Sequence, residues 1–153
     1  MAAEAPLLDV GAQLAPLALP DTHGSTVEIT GAARPLLVVF LPVAFSPVCG
    51  REVAELNAAV GGGSLPADVV GISCDSMFAL RAWAAAEELA FPLLSDFWPH
   101  GQVAQAFGAF DETTGLALRA SFLLVGAHVR WRVVSPGGRP RSIAGYREAV
   151  AAL

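Results

Sequence analysis

A cysteine joins an apolar run to a helical pattern in the segment "FLPVAFSPVCGREVAEL", residues 40–56. Ser46 followed by Pro47 is a strong helix-start signal, because the hydroxyl can cap a first-turn amide and proline lacks an N–H there. This places Cys49 third in the helix, where free backbone amides and the helix dipole favour a thiolate over a thiol. The pattern predicts a nucleophilic cysteine. The alternative is a small hydrophobic residue on a packed face.

The elements around Cys49 alternate between strand and helix patterns. A continuous apolar, β-branched run, "PLLVVFL", precedes the cysteine and is typical of a strand covered on both faces. Apolar residues follow at helical spacing: Cys49, Val53, Leu56 and Val60 share one face. This spacing predicts a helix from Pro47 to Val60 packed on that strand.

The remaining segments continue this alternation along the chain. The sequence predicts, in order, short strands in "PLALP" and "TVEIT", a strand in "ADVVGISC", a helix in "SMFALRAWAAAEEL" capped by Ser76, a strand in "FPLLSD", a short helix in "GQVAQAFG", a hairpin of "ALRASFLLV" and "VRWRVV", and a helix from Ile143 to Leu153. We therefore expect one domain over residues 1–153, an α/β sandwich with a mixed central sheet, helices on both faces and an N-terminal β-hairpin.

Composition excludes several classes of protein. The longest apolar run, residues 35–45, contains two prolines and is too short to span a membrane. The N-terminus lacks the basic start of a secretory signal, so we expect a cytoplasmic protein. A net charge of −5 with dispersed arginines disfavours nucleic acid as a partner. Two cysteines form no disulfide framework, and the three histidines have no metal-ligand spacing, so we expect no metal.

The spacing Pro42-x-x-x-Ser46-x-x-Cys49 resembles the active-site signature of the peroxiredoxins. The likeness extends over nearly the whole chain, through "VGAQLAPLALPDTHGSTVEI" and "FPLLSDFWPHGQVAQAFGAFDETTGLALRASFLLV". The phrases "FPLLSDFWPHG" and "LPVAFSPVCG" resemble the one-cysteine group similar to alkyl hydroperoxide reductase E. The resemblance implies a thioredoxin-like fold and a thiol-dependent peroxidase without a cofactor.

The resemblance also implies a role for each matching residue. Cys49 would attack the peroxide and become a sulfenic acid, while Ser46 contacts a peroxide oxygen and Pro42 shields the pocket from solvent. Arg119 would be the remote member of the site, favouring the thiolate, although by sequence alone an arginine at a strand start is more often a surface residue. Glu52 matches the family's acidic residue, with a solvated first-turn charge as its alternative.

Substrate and partners follow from the same resemblance. It implies reduction of hydrogen peroxide, organic hydroperoxides or peroxynitrite, and a homodimer or higher homo-oligomer. The reductant would be a thioredoxin-, glutaredoxin- or mycoredoxin-like protein or a small thiol. A disulfide reductase is disfavoured, because Glu52 stands where a Cys-x-x-Cys pair needs its second cysteine. A non-catalytic thioredoxin-fold protein that binds partners or holds unfolded chains stays open as the alternative.

Two further features have weaker interpretations. Cys74 ends a predicted strand parallel to the one before Cys49, so it could resolve the sulfenic acid through an internal disulfide. The helix start would have to unwind to bring the two residues within bonding distance, so we expect a passive thiol instead.

We assign no catalytic role to Trp98 or His100; an aromatic residue beside a proline commonly packs on a loop or a partner subunit.

Overall fold

The computed structural model describes residues 6–136 and 139–153. In chain order, the elements are β1 (Ala18–Pro20), β2 (Thr26–Glu28), β3 (Leu36–Phe40), α1 (Pro47–Gly61), β4 (Asp68–Ser73), α2 (Met77–Glu87), β5 (Leu93–Ser95), α3 (Gln102–Ala106), β6 (Phe110–Asp111), β7 (Leu116–Ala117), β8 (Ala120–Val125), β9 (His128–Val134) and α4 (Ile143–Ala151). Five of the strands form one sheet in the order β5-β4-β3-β8-β9.

Strand β3 lies at the centre of this sheet, and all five of its residues are buried. It pairs in parallel with β4 and antiparallel with β8, which makes the sheet mixed. Because side chains alternate across a strand, Val39 packs in a core that includes α1, α2 and α4, while Val38 packs in a second core that includes α3. The thioredoxin-like α/β fold is therefore confirmed, and β1 and β2 form the expected N-terminal hairpin.

The helix starts confirm one predicted cap and correct another. The Ser76 hydroxyl accepts a hydrogen bond from the Ala79 amide at 3.2 Å. Ser46 occupies the N-cap position of α1, but its hydroxyl makes no capping bond and donates to the Val43 carbonyl at 3.0 Å. The prediction of a side-chain cap at Ser46 is thus wrong, and among the residues that the structure describes no side chain accepts a hydrogen bond from the first-turn amides of α1.

The segment that was predicted as one strand, residues 117–125, is broken in the structure. β7 ends before Leu118 and β8 begins after Arg119. The Arg119 carbonyl accepts a hydrogen bond from the Ser135 amide at 2.9 Å, which ties the break to the end of β9. The two-residue strands β6 and β7 form a small hairpin that is too short for sequence periodicity to indicate. Arg119 consequently stands at an irregular position beside the sheet.

The parallel strands β3, β4 and β5 end at the same edge of the sheet. In α/β folds this carboxyl edge is where sites assemble, and the loop that leads from β3 into α1 lies there. In the described ranges, no helix has the length and apolar character needed to cross a membrane. Those ranges also hold no group of three or more histidine, cysteine, aspartate or glutamate side chains arranged to bind a metal.

Candidate active site

Cys49 occupies the first turn of α1, as the sequence predicts, and its residue surface is 0% exposed. It packs in the same core as Val39 of β3 and Leu41, which directly follows β3. Val53, one helical turn after Cys49, belongs to this core as well. The sulfur therefore lies in an apolar environment at the positive end of a helix. Such a position excludes water while leaving the first-turn amides able to donate to an anion.

Arg119 reaches the cysteine from the break between β7 and β8. Its Nη1 donates to Cys49 Sγ over 3.5 Å and also to Glu52 Oε1, and the side chain is only 9% exposed. Burial would lower the pKa of Arg119, but the negative charges of Cys49 and Glu52 outweigh it and raise the pKa above its ordinary value. The guanidinium is therefore charged at all relevant pH values, and the alternative of a surface arginine, which the sequence alone left open, does not apply.

The guanidinium of Arg119 is incompletely satisfied. Its Nε is buried and makes no hydrogen bond within the part of the chain that the structure describes. A buried donor without an acceptor carries a desolvation cost, which a ligand oxygen can relieve. This arginine can thus donate one more hydrogen bond than the described residues accept.

Glu52 lies between two arginines and is 6% exposed, so it is not a solvated first-turn charge. Arg141 donates to its carboxylate from Nε at 2.8 Å, from Nη2 at 3.0 Å and from the backbone amide at 2.6 Å. Burial alone would raise the pKa of Glu52, but Arg141, followed by Arg119, holds it below the ordinary value of 4.5. The carboxylate stays ionised and fixes the position of Arg119.

Arg141 is a member of this network that sequence reasoning missed. It is buried, and its Nη1 donates to the Ala120 carbonyl at 2.7 Å and to Ser121 Oγ at 3.0 Å. Ser121 in turn hydrogen-bonds the Tyr146 hydroxyl of α4 at 2.9 Å. No sequence signal distinguishes Arg141 from the other arginines, because its partners come from α1 and β8, far away in the chain. The network connects the final helix to the cysteine.

The loop before α1 is held in a strained conformation. Phe45 has a φ of 66°, in the left-handed region that bulky residues rarely adopt. The Ala44 amide donates to Asp75 Oδ2 at 2.9 Å, and the Phe45 ring lies 6.1 Å from that of Trp83. Backbone strain of this kind persists only where surrounding contacts impose it, and it clusters at functional sites.

An open groove of about 320 Å³ lies beside Arg119. Pro42, directly after β3, forms part of its lining together with side chains from β6, β7 and the end of β9. Of the four predicted site residues, Cys49 and Arg119 are thus in contact, and Pro42 shares the groove with Arg119. The Ser46 hydroxyl instead contacts the loop carbonyl described above.

Cys74 is buried and is not bonded to Cys49, since both cysteines are free. Burial, reinforced by the charges of Asp96 and then Asp75, raises the pKa of the Cys74 thiol to about 12. A thiol with this pKa is almost entirely protonated at neutral pH and is a poor nucleophile. The structure therefore favours the passive role over the resolving role.

A thioredoxin-like fold with a buried cysteine in a first helical turn, held against an arginine, is the arrangement of a thiol-dependent peroxidase. Residues 10–131 match the AhpC/TSA family. The chain is 33% identical to alkyl hydroperoxide reductase E of Mycobacterium tuberculosis over 156 aligned positions, which cover 96% of this chain and 99% of the relative. The chain belongs to the AhpC/TSA family, the peroxiredoxins.

Solved structures show the same fold. AhpC of Mycobacterium tuberculosis superposes with a TM-score of 0.83 at 24% identity, covering 96% of this chain and 93% of that one. A peroxiredoxin-like protein of Aquifex aeolicus gives a TM-score of 0.86 at 18% identity, with coverage of 97% and 90%. The chain is a thiol-dependent peroxidase, and the non-catalytic alternative has no support among these relatives.

Proposed function

We propose that Cys49 is the residue oxidised by peroxide. The thiolate attacks one peroxide oxygen, an S–O bond forms as the O–O bond breaks, and the other oxygen leaves as an alkoxide that takes up a proton to become an alcohol or water. The sulfur loses two electrons and becomes a sulfenic acid. The observation that carries the proposal is the Arg119 Nη1 donor, 3.5 Å from a fully buried sulfur.

Three other residues assist this step. Arg119 stabilises the thiolate, and its free Nε is available to an oxygen that gains charge in the transition state. The Ser46 hydroxyl donates to Val43, so its lone pairs are free to accept the O–H of the incoming peroxide. Pro42 has no N–H and contributes an apolar wall to the groove beside Arg119.

The substrate that best fits the groove is an alkyl hydroperoxide. Its peroxide end would meet Arg119, and its alkyl group would lie along the apolar side chains of the lining. The relative in Mycobacterium tuberculosis is named for this class of substrate. Hydrogen peroxide and peroxynitrite lack an alkyl group, so they would make no apolar contact with the groove. They would be bound only by their polar contacts with Arg119 and Ser46.

The sulfenic acid is returned to the thiol by an external reductant. A thiol attacks the sulfenic sulfur and releases water, and a second thiol reduces the resulting mixed disulfide. We infer an external thiol, small or on a thioredoxin-, glutaredoxin- or mycoredoxin-like protein, because the raised pKa of Cys74 leaves almost no internal thiolate to attack. We propose a cytoplasmic location, whose reducing thiol pool suits this cycle, and one domain over the chain.

We propose a homodimer that forms at the carboxyl edge of the sheet. Phe45, Phe78, Phe97 and Trp98 follow the ends of β3, β4 and β5 and are exposed, Trp98 by 83%. Large exposed apolar side chains gathered at one edge are typical of an interface. Sedimentation velocity should give a dimer that Trp98→Glu converts to monomer, while Val10→Glu, at an exposed apolar residue elsewhere, does not. A monomeric wild-type protein would contradict the proposal.

Stopped-flow fluorescence of the reduced protein tests the peroxidase assignment. Mixing with excess cumene hydroperoxide should give a phase whose rate rises linearly with peroxide concentration. Cys49→Ser should abolish this phase, and the matched change Cys74→Ser should retain it. Loss of the phase in Cys74→Ser with retention in Cys49→Ser would reverse the assignment.

A further inference from the structure

The groove beside Arg119 combines an apolar lining with a single acidic group. Leu116, Leu118 and Val134 supply apolar surface, and Asp111 and Arg119 are the ionisable side chains that line it in the described part of the chain. Arg119 already faces the charges of the thiolate and of the buried glutamate. The negative charge of Asp111 is thus the charge that the alkyl part of a substrate would meet.

Asp111 is fixed at this place by the hairpin of β6 and β7. Its Oδ1 accepts a hydrogen bond from the Thr113 amide at 2.9 Å, and its carbonyl accepts one from the Gly115 amide at 2.8 Å. In the ranges 6–136 and 139–153, no arginine forms a salt bridge with it. Its carboxylate therefore presents an uncompensated charge to the groove.

We propose that Asp111 is a specificity-determining residue that favours hydroperoxides with neutral alkyl groups over those whose alkyl group ends in a carboxylate. This inference rests on the proposed reduction of alkyl hydroperoxides in the same groove. The Asp111 carboxylate and a terminal carboxylate on the substrate would repel each other across about 7 Å of the half-solvated groove. At an effective dielectric constant of about 60, this repulsion slows the reaction of the charged substrate about fourfold. A neutral tail gains the apolar contacts without this repulsion.

The decisive experiment compares two substrates that differ only in charge. They are a short-chain alkyl hydroperoxide that ends in a carboxylate and its methyl ester, each mixed with reduced protein at low ionic strength in a stopped-flow instrument. The wild-type protein should react with the ester at least about fourfold faster than with the acid. Raising the salt concentration to about 1 M should bring this ratio toward one, because the Debye length falls to about 3 Å.

Asp111→Asn should also bring the ratio toward one by speeding the reaction with the acid. Asparagine keeps the Oδ1 acceptor for the Thr113 amide, so the hairpin keeps its turn. Glu112→Gln is the matched control, because it removes the same charge from the next residue, which is exposed and lines a different cavity with Gln105 and Phe110. It should leave the ratio at the wild-type value.

An ester-to-acid ratio near one in the wild-type protein at low salt would overturn the inference. An unchanged ratio in Asp111→Asn would do the same, and in both cases rapid reduction of the ester would leave the proposed function intact. Failure to reduce either alkyl substrate, with hydrogen peroxide still consumed, would contradict both the inference and the proposed substrate class. If Asp111→Asn does not fold, Asp111→Ser provides the same comparison, because serine removes the charge and keeps an oxygen acceptor for the Thr113 amide.

Discussion

Replacing Arg119 with alanine should slow the attack of Cys49 on peroxide by at least tenfold. The guanidinium lies 3.5 Å from the sulfur in a buried site, where the gross Coulomb attraction is about 5 kcal/mol at an effective dielectric constant of about 20. Water that enters the vacated space would replace part of this Coulomb attraction. The net loss is therefore closer to the value of a hydrogen bond to a charged group, about 1.5–3 kcal/mol. That loss corresponds to about ten- to a hundredfold in rate.

The fold should survive this change, because Glu52 keeps its three hydrogen bonds from Arg141. Arg119→Lys retains the charge, but its compact, strongly hydrated ammonium lacks the buried Nε donor and the planar shape of the guanidinium, so its rate should be intermediate. Arg51→Ala serves as the control, because it removes an exposed arginine of α1, the helix that carries Cys49. Its rate should stay within about twofold of the wild-type rate.

The assay is the second-order rate constant for oxidation, followed by tryptophan fluorescence. Trp83 is a suitable reporter, since its ring lies 6.1 Å from that of Phe45 in the loop before α1. Circular dichroism should show that each variant is folded. An Arg119→Ala protein that is folded and reacts at the wild-type rate would refute the reasoning and remove Arg119 from the site.

Three further changes test the side chains around Cys49 and Arg119. Arg141→Ala should lower the free energy of unfolding by about 3 kcal/mol, measured by urea denaturation, because it leaves the buried Glu52 carboxylate with one cation instead of two. The lowered pKa of Glu52 means that its contribution to stability is present above pH 4.5 and is lost as the pH falls below it, so Glu52→Gln should flatten the acid side of a stability profile. Cys74, with its pKa raised from 9.0 to about 12, should be alkylated in the native protein at pH 8 about a thousandfold more slowly than a free thiol, and its contribution to stability should be lost as the pH rises from 9 toward 12. Rapid iodoacetamide labelling of native Cys74 would contradict the last of these.

Local patterns in the sequence predicted most of the fold. The buried run of β3, the helical spacing that follows Cys49 and the cap at Ser76 are each set by residues close together in the chain. The position of Ser46 before α1 was predicted correctly, but its hydroxyl turns to the Val43 carbonyl, because the loop conformation decides which partner is nearer. Propensity specifies a helix start more reliably than it specifies the hydrogen bond made there.

The contacts of the site depend on residues that are far apart in the chain. Cys49 and Arg119 are separated by 70 positions and Glu52 and Arg141 by 89, so no local pattern reports their contact. Arg119 was expected beside the cysteine because of a family resemblance, whereas its contact requires the break between β7 and β8 that periodicity failed to predict. Arg141 had neither signal, since its role depends on tertiary packing alone.

The most direct test of the central claim is peptide mapping after reaction with one equivalent of alkyl hydroperoxide in the presence of dimedone, which traps sulfenic acids. We expect a dimedone adduct on the peptide that contains Cys49, no disulfide between Cys49 and Cys74, and no adduct in Cys49→Ser. An adduct on Cys74, or a dominant disulfide joining the two cysteines, would contradict it.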